Sequence, residues 1–238
     1  MNAAHATSGG HPYRRVGAVI VAATIVWGAG VSPVSRVYIT PRAADRLAML
    51  QRGRRAWVAG QFVTAVGTAA VPVGVAGFAD ALPAGPPKKL ATAAAAALLA
   101  GAPLFVADLA DRASDLERFA YQRGPAWRFM GYCTLHLVAL ASLGTALLTM
   151  PAPDGAAASG AARDVPASSI SAQSTAVPGD RARRWIGVAT LLSAPAFAAI
   201  LAAKKDIPPA VFYVMEQAVG LYLCFHREPE ATQASTQP

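Results

Sequence analysis

The chain has 238 residues, of which 54% are hydrophobic and only 14% charged, and its mean hydropathy is +0.37. Soluble domains carry about 25% charged residues, so a water-covered globule of the cytosolic-enzyme kind is excluded. The net charge of +8 would raise nucleic acid in a soluble protein. Here Lys and Arg sit in short segments between apolar blocks, with no RNA-binding aromatic motif beside them, and no nucleic-acid partner is expected. Arg outnumbers Lys 17 to 4 and Asn occurs once, a bias expected of a GC-rich bacterial coding sequence.

Residues 1–13 read as a polar, disordered tail. The first apolar block, 16–34, follows Tyr13-Arg14-Arg15. A basic pair before an apolar run is also how a signal peptide begins. The run is long for that, and Val31-Ser32-Pro33-Val34-Ser35 lacks a small-x-small cleavage site, so it is read as a membrane span. Further spans are expected at 57–78, 90–107, 129–150, 185–203 and 207–225, the last opening with Pro208-Pro209 and interrupted by Glu216 and Gln217. Each is long enough for a hydrocarbon core of about 30 Å at 1.5 Å per residue. Trp57, Trp127 and Trp185 open their spans, as interfacial aromatics do. The fold class is therefore all-α, a polytopic transmembrane helix bundle of about six spans: four within 14–150 and two within 183–227.

Between the spans, Thr40-Pro41 reads as the cap and first turn of a helix carrying Ala43, Leu47 and Leu50 at helical spacing. Ser114 similarly precedes Leu116, Phe119 and Ala120. Both are read as interfacial amphipathic helices or extensions of the spans, with solvated charged loops as the alternative. Residues 151–182, rich in Ala, Ser, Gly and Pro, read as a flexible linker, and 228–238 as a disordered tail. Loops after the odd spans carry twelve Lys/Arg and the other side nine, which favours the first side as cytoplasmic and both termini outside.

Chemistry-bearing residues are few. Cys133 and Cys224 differ in depth by roughly 18 Å, whereas a disulfide needs α-carbons within about 7 Å, so no bridge is expected. His136 lies about 12 Å and Glu216 about 13 Å from the same side of the membrane. An ionised carboxylate at that depth is expensive unless paired, so a His136–Glu216 hydrogen bond is the sharpest site expectation, with a purely structural polar contact as its alternative. Gln61 and Asp108 are placed to extend the pair toward the side of the odd loops, and Tyr213 and Gly220 share the Glu216 face. Cys133 and His136 at i, i+3 do not make a zinc site, and His226 is too far in depth from His136 to share a haem with it. HExxH, GxSxG and GxxxxGK[ST] are absent. No metal or cofactor is expected. Pro72, Pro103 and Pro195 fall inside spans and permit kinks, and Gly60, Gly67 and Gly74 form a small-residue stripe suited to close helix contact.

The stretches Gly131-Tyr132-Cys133-Thr134-Leu135-His136-Leu137 and Arg183-Arg184-Trp185-Ile186-Gly187-Val188, with the Pro-Pro opening of the last span, resemble the later spans of small, uncharacterised six-helix bacterial membrane proteins. That resemblance covers the C-terminal half and implies a six-span bundle with no known activity. Three functions stay open. The first is a cell-membrane protein that binds or transports a small or lipidic molecule or serves as an accessory subunit. The second is a membrane-embedded enzyme acting on a lipid or isoprenoid with Glu216 as acid/base. The third is a structural or sensory protein in which the arginines at 52–55 meet anionic lipid or a partner. In every case the lipid bilayer is the immediate partner.

Overall fold

A computed structural model describes residues 12–151, 178–204 and 207–225. Most of the expected linker (152–177), the tail segments 1–11 and 226–238, Arg163, Lys205, Arg227 and His226 lie outside the described residues. Among the described residues all regular structure is helical: α1 (Pro12–Val31, extended by a 3-10 turn over Ser32–Val34), α2 (Arg36–Ile39), α3 (Ala43–Arg52), α4 (Arg54–Ala81), α5 (Pro86–Ser114), α6 (Leu116–Ala120), α7 (Trp127–Thr149), α8 (Pro178–Lys204) and α9 (Ala210–Phe225). The first helix takes in Pro12 and buries Tyr13, and α8 begins at Pro178, within the expected linker.

Among the described residues five helices are long and apolar enough to cross a membrane: α1 with its extension, α4, α5, α7 and α8. The segment expected as a sixth span is helical over 16 residues only, about 24 Å at 1.5 Å per residue. Pro208 and Pro209 form a lead-in turn instead, accepting from Val211 N and Phe212 N. α4 and α5 outrun the span boundaries read from hydropathy by a turn or more, because charged residues at helix ends continue the backbone ladder past the apolar window. Gly85, at φ +151°, makes the turn between them and delivers Pro86 to the first turn of α5, where a missing N–H is harmless.

Successive long helices pack as neighbours in the order α1, α4, α5, α7, α8, and α9 returns to lie along α1 while touching α7 and α8 more lightly. The seams on α1 are glycine crossings. A Cβ on Gly67 would stand 2.6 Å from Trp27 N, one on Gly60 would meet Gly30 O, and one on Gly74 would stand 2.5 Å from Ile20 Cγ1. The Gly60, Gly67, Gly74 stripe is thus the surface on which α1 lies. On its other side Gly17 meets Gly220 of α9, where a Cβ would sit 2.5 Å from the Gly220 carbonyl oxygen. The bundle's outside is apolar, with Phe62, Val66, Val73, Leu99 and Leu192 all exposed. A water-facing surface would not carry such a set in helix after helix, whereas hydrocarbon accepts it.

A second small core covers the bundle end where α1, α4, α5 and α7 meet the short helices. Val37, Leu50, Trp57 and Ala120 pack there with Leu47 and Phe119. Trp57, expected as an interfacial aromatic, is instead 0% exposed, and its indole N–H donates to Arg112 O at 2.9 Å. The physical reason is that α3 and α6 roof that end and supply ring contacts, Phe119 lying 4.9 Å from Trp57. Trp127 and Trp185 remain exposed, at 60% and 64%. Two expected caps are also corrected. α3 starts after Arg42, and the Thr40 hydroxyl donates back to Arg36 O at the end of α2. α6 is capped by Asp115, which accepts from Arg118 N at 2.8 Å, while Ser114 closes α5.

Gly67→Ala drives a methyl into the α1 backbone and is expected to lower stability by about 1–3 kcal/mol. Gly28→Ala, with nothing within 4 Å of its Cβ, should be neutral or slightly stabilising. Thermal unfolding of both variants in detergent checks the contrast.

Candidate functional site

α7 and α9 build the site from their facing stripes. On α7, Tyr132 and His136 are one turn apart and both buried, as are Cys133, Ala139 and Leu140. On α9 the buried stripe is Phe212, Tyr213, Glu216, Val219 and Gly220, while Val214, Leu221 and Phe225 point outward. Glu216 falls on the inward stripe because the apolar outer positions leave a carboxylate no other favourable direction.

His136 Nε2 lies 2.8 Å from Glu216 Oε1, and the two side chains are 4% and 1% exposed. One proton serves this contact, carried either as Nε2–H or as the carboxylic O–H. The second carboxyl oxygen, Oε2, is buried without a hydrogen-bond partner among the described residues. Aromatic rings enclose the imidazole: Phe212 stacks on it at 4.8 Å between centroids, and Tyr132 meets it edge-on at 4.9 Å. Phe197 of α8 in turn packs edge-to-face on Phe212 at 5.8 Å.

A second polar chain runs beside the pair. The Tyr132 hydroxyl donates to Tyr213 at 3.1 Å, and Tyr213 donates to Thr68 Oγ1 of α4 at 2.9 Å. Trp27 of α1 stacks on Tyr213 at 4.1 Å, its indole N–H buried without a partner among the described residues. Four helices, α1, α4, α7 and α9, therefore converge within one hydrogen bond or ring contact of Tyr213 and His136, and α8 reaches them through Phe197 on Phe212. In a low-dielectric interior each such bond is hard to give up, because the freed groups find no water.

Of the four residues read as a site, the structure brings two together. Gln61 is buried on the α4 face shared with Thr64 and Thr68, its side-chain oxygen unpartnered among the described residues. It lies two turns, about 10 Å along the helix, from Thr68, and no hydrogen bond joins it to Glu216. Asp108 belongs to a different cluster. It pairs with Arg112 Nη2 at 2.5 Å, and that guanidinium lies over the rings of Phe105, Phe119 and Phe129 at 5.3–5.6 Å. No disulfide joins Cys133 and Cys224, and no group of three or more His, Cys, Asp or Glu suited to a metal occurs among the described residues.

Sequence reasoning missed Tyr132, Thr68, Trp27 and Phe212. Signals for three of them existed: Tyr132 is one turn before His136, Thr68 continues the Gln61, Thr64 spacing, and Trp27 lies away from the ends of its span, where an interfacial indole would sit. Compared with known proteins, the chain matches no family model, no curated protein and no solved structure.

Removing either partner leaves the other buried and unsatisfied. Glu216→Ala and His136→Leu should each destabilise by roughly 1–3 kcal/mol, and the double variant by clearly less than their sum. Glu216→Gln, able to keep the bond to the imidazole, should cost the least. A double-mutant cycle on unfolding in detergent reads this coupling.

Proposed function

We propose that this chain is a multi-pass protein of the cell membrane, with α9 as a short sixth span, and that it binds or transports a small or lipidic molecule at the His136–Glu216 pair. The reading of α9 as a span rests on its apolar outward residues Val214, Leu221 and Phe225 and on its place along α1. It agrees with the resemblance to small six-helix bacterial membrane proteins.

The observation that carries the binding role is the carboxyl of Glu216, satisfied on one oxygen and without a partner among the described residues on the other, at 1% exposure. A buried acceptor left open is costly, and a ligand hydroxyl, amine or amide N–H delivered to Oε2 would relieve that cost. His136, sharing its proton with Oε1, would tune how strongly Oε2 accepts. A ligand with an apolar body suits the ring-lined surroundings, since Phe212 and Tyr132 offer faces and edges and few further polar groups.

An acid/base role on a lipid or isoprenoid is supported less well. It requires a reacting atom within hydrogen-bond reach of the carboxyl, and Phe212 and Tyr132 pack directly on the imidazole that orients it.

Native mass spectrometry of the protein purified in its own lipids, wild type beside Glu216→Gln, is the test. A defined adduct on the wild type that Glu216→Gln loses, with unchanged unfolding temperature, is the expected result. Equal spectra from two equally folded proteins would make the pair a purely structural contact between α7 and α9.

A further inference from the structure

Away from the His136–Glu216 pair, the end of the bundle roofed by the short helices carries a cavity of about 360 Å³ between the Ser32–Val34 turn with α2 on one side and α3 on the other. Ser32, Ser35, Arg36 and Arg52 bring the polar groups, and Val37 and Met49 part of the apolar wall. Among the described residues no carboxylate lines it. The Arg36 guanidinium makes no hydrogen bond or ion pair among the described residues, and Arg52 spends only its Nε, on Ala48 O at 3.3 Å. Two arginines and two serines thus line one concave space, with most of the guanidinium donors unspent among the described residues.

The cavity also lies where a membrane would present headgroups. It begins where the apolar run of α1 ends, and beside it Tyr38 and Ile39 expose large apolar surface, Ile39 at 81%. Apolar side chains next to uncompensated arginines suit the boundary between acyl chains and headgroups. The local charge selects among headgroups. A zwitterionic headgroup brings no net charge to two unpaired guanidiniums. A phosphate monoester carries about −1.5 to −2 charges at neutral pH with several acceptor oxygens, which matches two forked donors and two hydroxyls.

We propose that the cavity between Ser32–Val37 and Met49–Arg52 is a binding site for a phosphate monoester carried on a membrane lipid. Arg36 and Arg52 clamp the phosphate from the two walls, Ser32 and Ser35 donate to its remaining oxygens, and Val37 and Met49 contact the neighbouring carbon atoms. The site is separate from Glu216 in position and chemistry, so each reading stands or falls without the other.

Full-length protein in detergent, titrated with phosphatidic acid or phosphatidylcholine and read by native mass spectrometry, tests this. The wild type should hold one phosphatidic acid in preference to phosphatidylcholine. Arg36→Gln with Arg52→Gln should weaken that adduct by about tenfold or more, because each removes a charge-assisted bond. Arg54→Gln with Arg55→Gln removes the same charge outside the cavity and should leave the adduct in place. Equal weakening by both pairs would show diffuse surface attraction and overturn the site, as would the absence of any preference. Glycerol 3-phosphate binding as tightly as the lipid would keep the phosphate site and overturn its lipid source. Since both arginines are exposed, the unfolding temperature should not move, and the single variants carry the same test if the double variant is unstable.

Discussion

The close approach of α1 to both α4 and α9 is the constraint on which the rest of the molecule depends. α9 has few neighbours, and its long seam is with α1. That seam exists because Gly17 and Gly220 let two backbones meet, and the opposite face of α1 is seated on α4 through Gly60, Gly67 and Gly74. Helix association inside lipid draws little from the hydrophobic effect, because tails are as apolar as side chains. Dispersion between closely apposed backbones takes its place, and a single β-carbon at these crossings would open them. With α1 held on both faces, α9 is placed so that Glu216 reaches His136 on α7.

The polar centre reinforces what the glycines begin. A lone carboxyl buried among apolar side chains is costly, so partnering with His136 ties the last helix to the middle of the bundle. The Tyr132–Tyr213–Thr68 chain does the same for α4, and Trp27 stacks α1 onto the same tyrosine. Packing thus makes the polar contacts geometrically possible, and those contacts then select one register among those that packing would tolerate. Glu216 Oε2, without a hydrogen-bond partner among the described residues, departs from this mutual satisfaction.

At the roofed end the stabilising logic is different, because arginine replaces glycine as the connector. Arg46 donates through Nε and Nη2 to the Ala120 carbonyl, at 2.9 and 2.6 Å, and through Nη1 to Thr40 O, joining α3 to the end of α6. Arg112 bridges Asp108 and three aromatic rings while its own carbonyl accepts from Trp57. At the opposite end Arg183 donates to Met150 O and pairs with Asp180, fastening α8 to the end of α7. These guanidiniums are consumed by structure. Arg36 makes no such contact among the described residues and Arg52 only the one to Ala48 O, and both line the concave space beside α2 and α3.

What the sequence by itself determined were quantities that run along a helix. Apolar runs placed the five long helices, seven-residue spacing revealed the glycine stripe, and a rise of 1.5 Å per residue put His136 and Glu216 at one depth. The proline pair read as the first turn of a span over 207–225, whereas the helix begins only after it, at Ala210. Only the tertiary structure decided which helices touch and in which direction each side chain points. The contact of α9 with α1 joins residues some two hundred positions apart, and no periodicity carries that distance. Trp57 shows the same limit: its place at the start of a span says interface, while the roof of α3 and α6 makes it core. Gln61 and Asp108 read as an extension of the pair toward the odd loops yet face other neighbours, because depth is a property of the chain and azimuth is a property of packing.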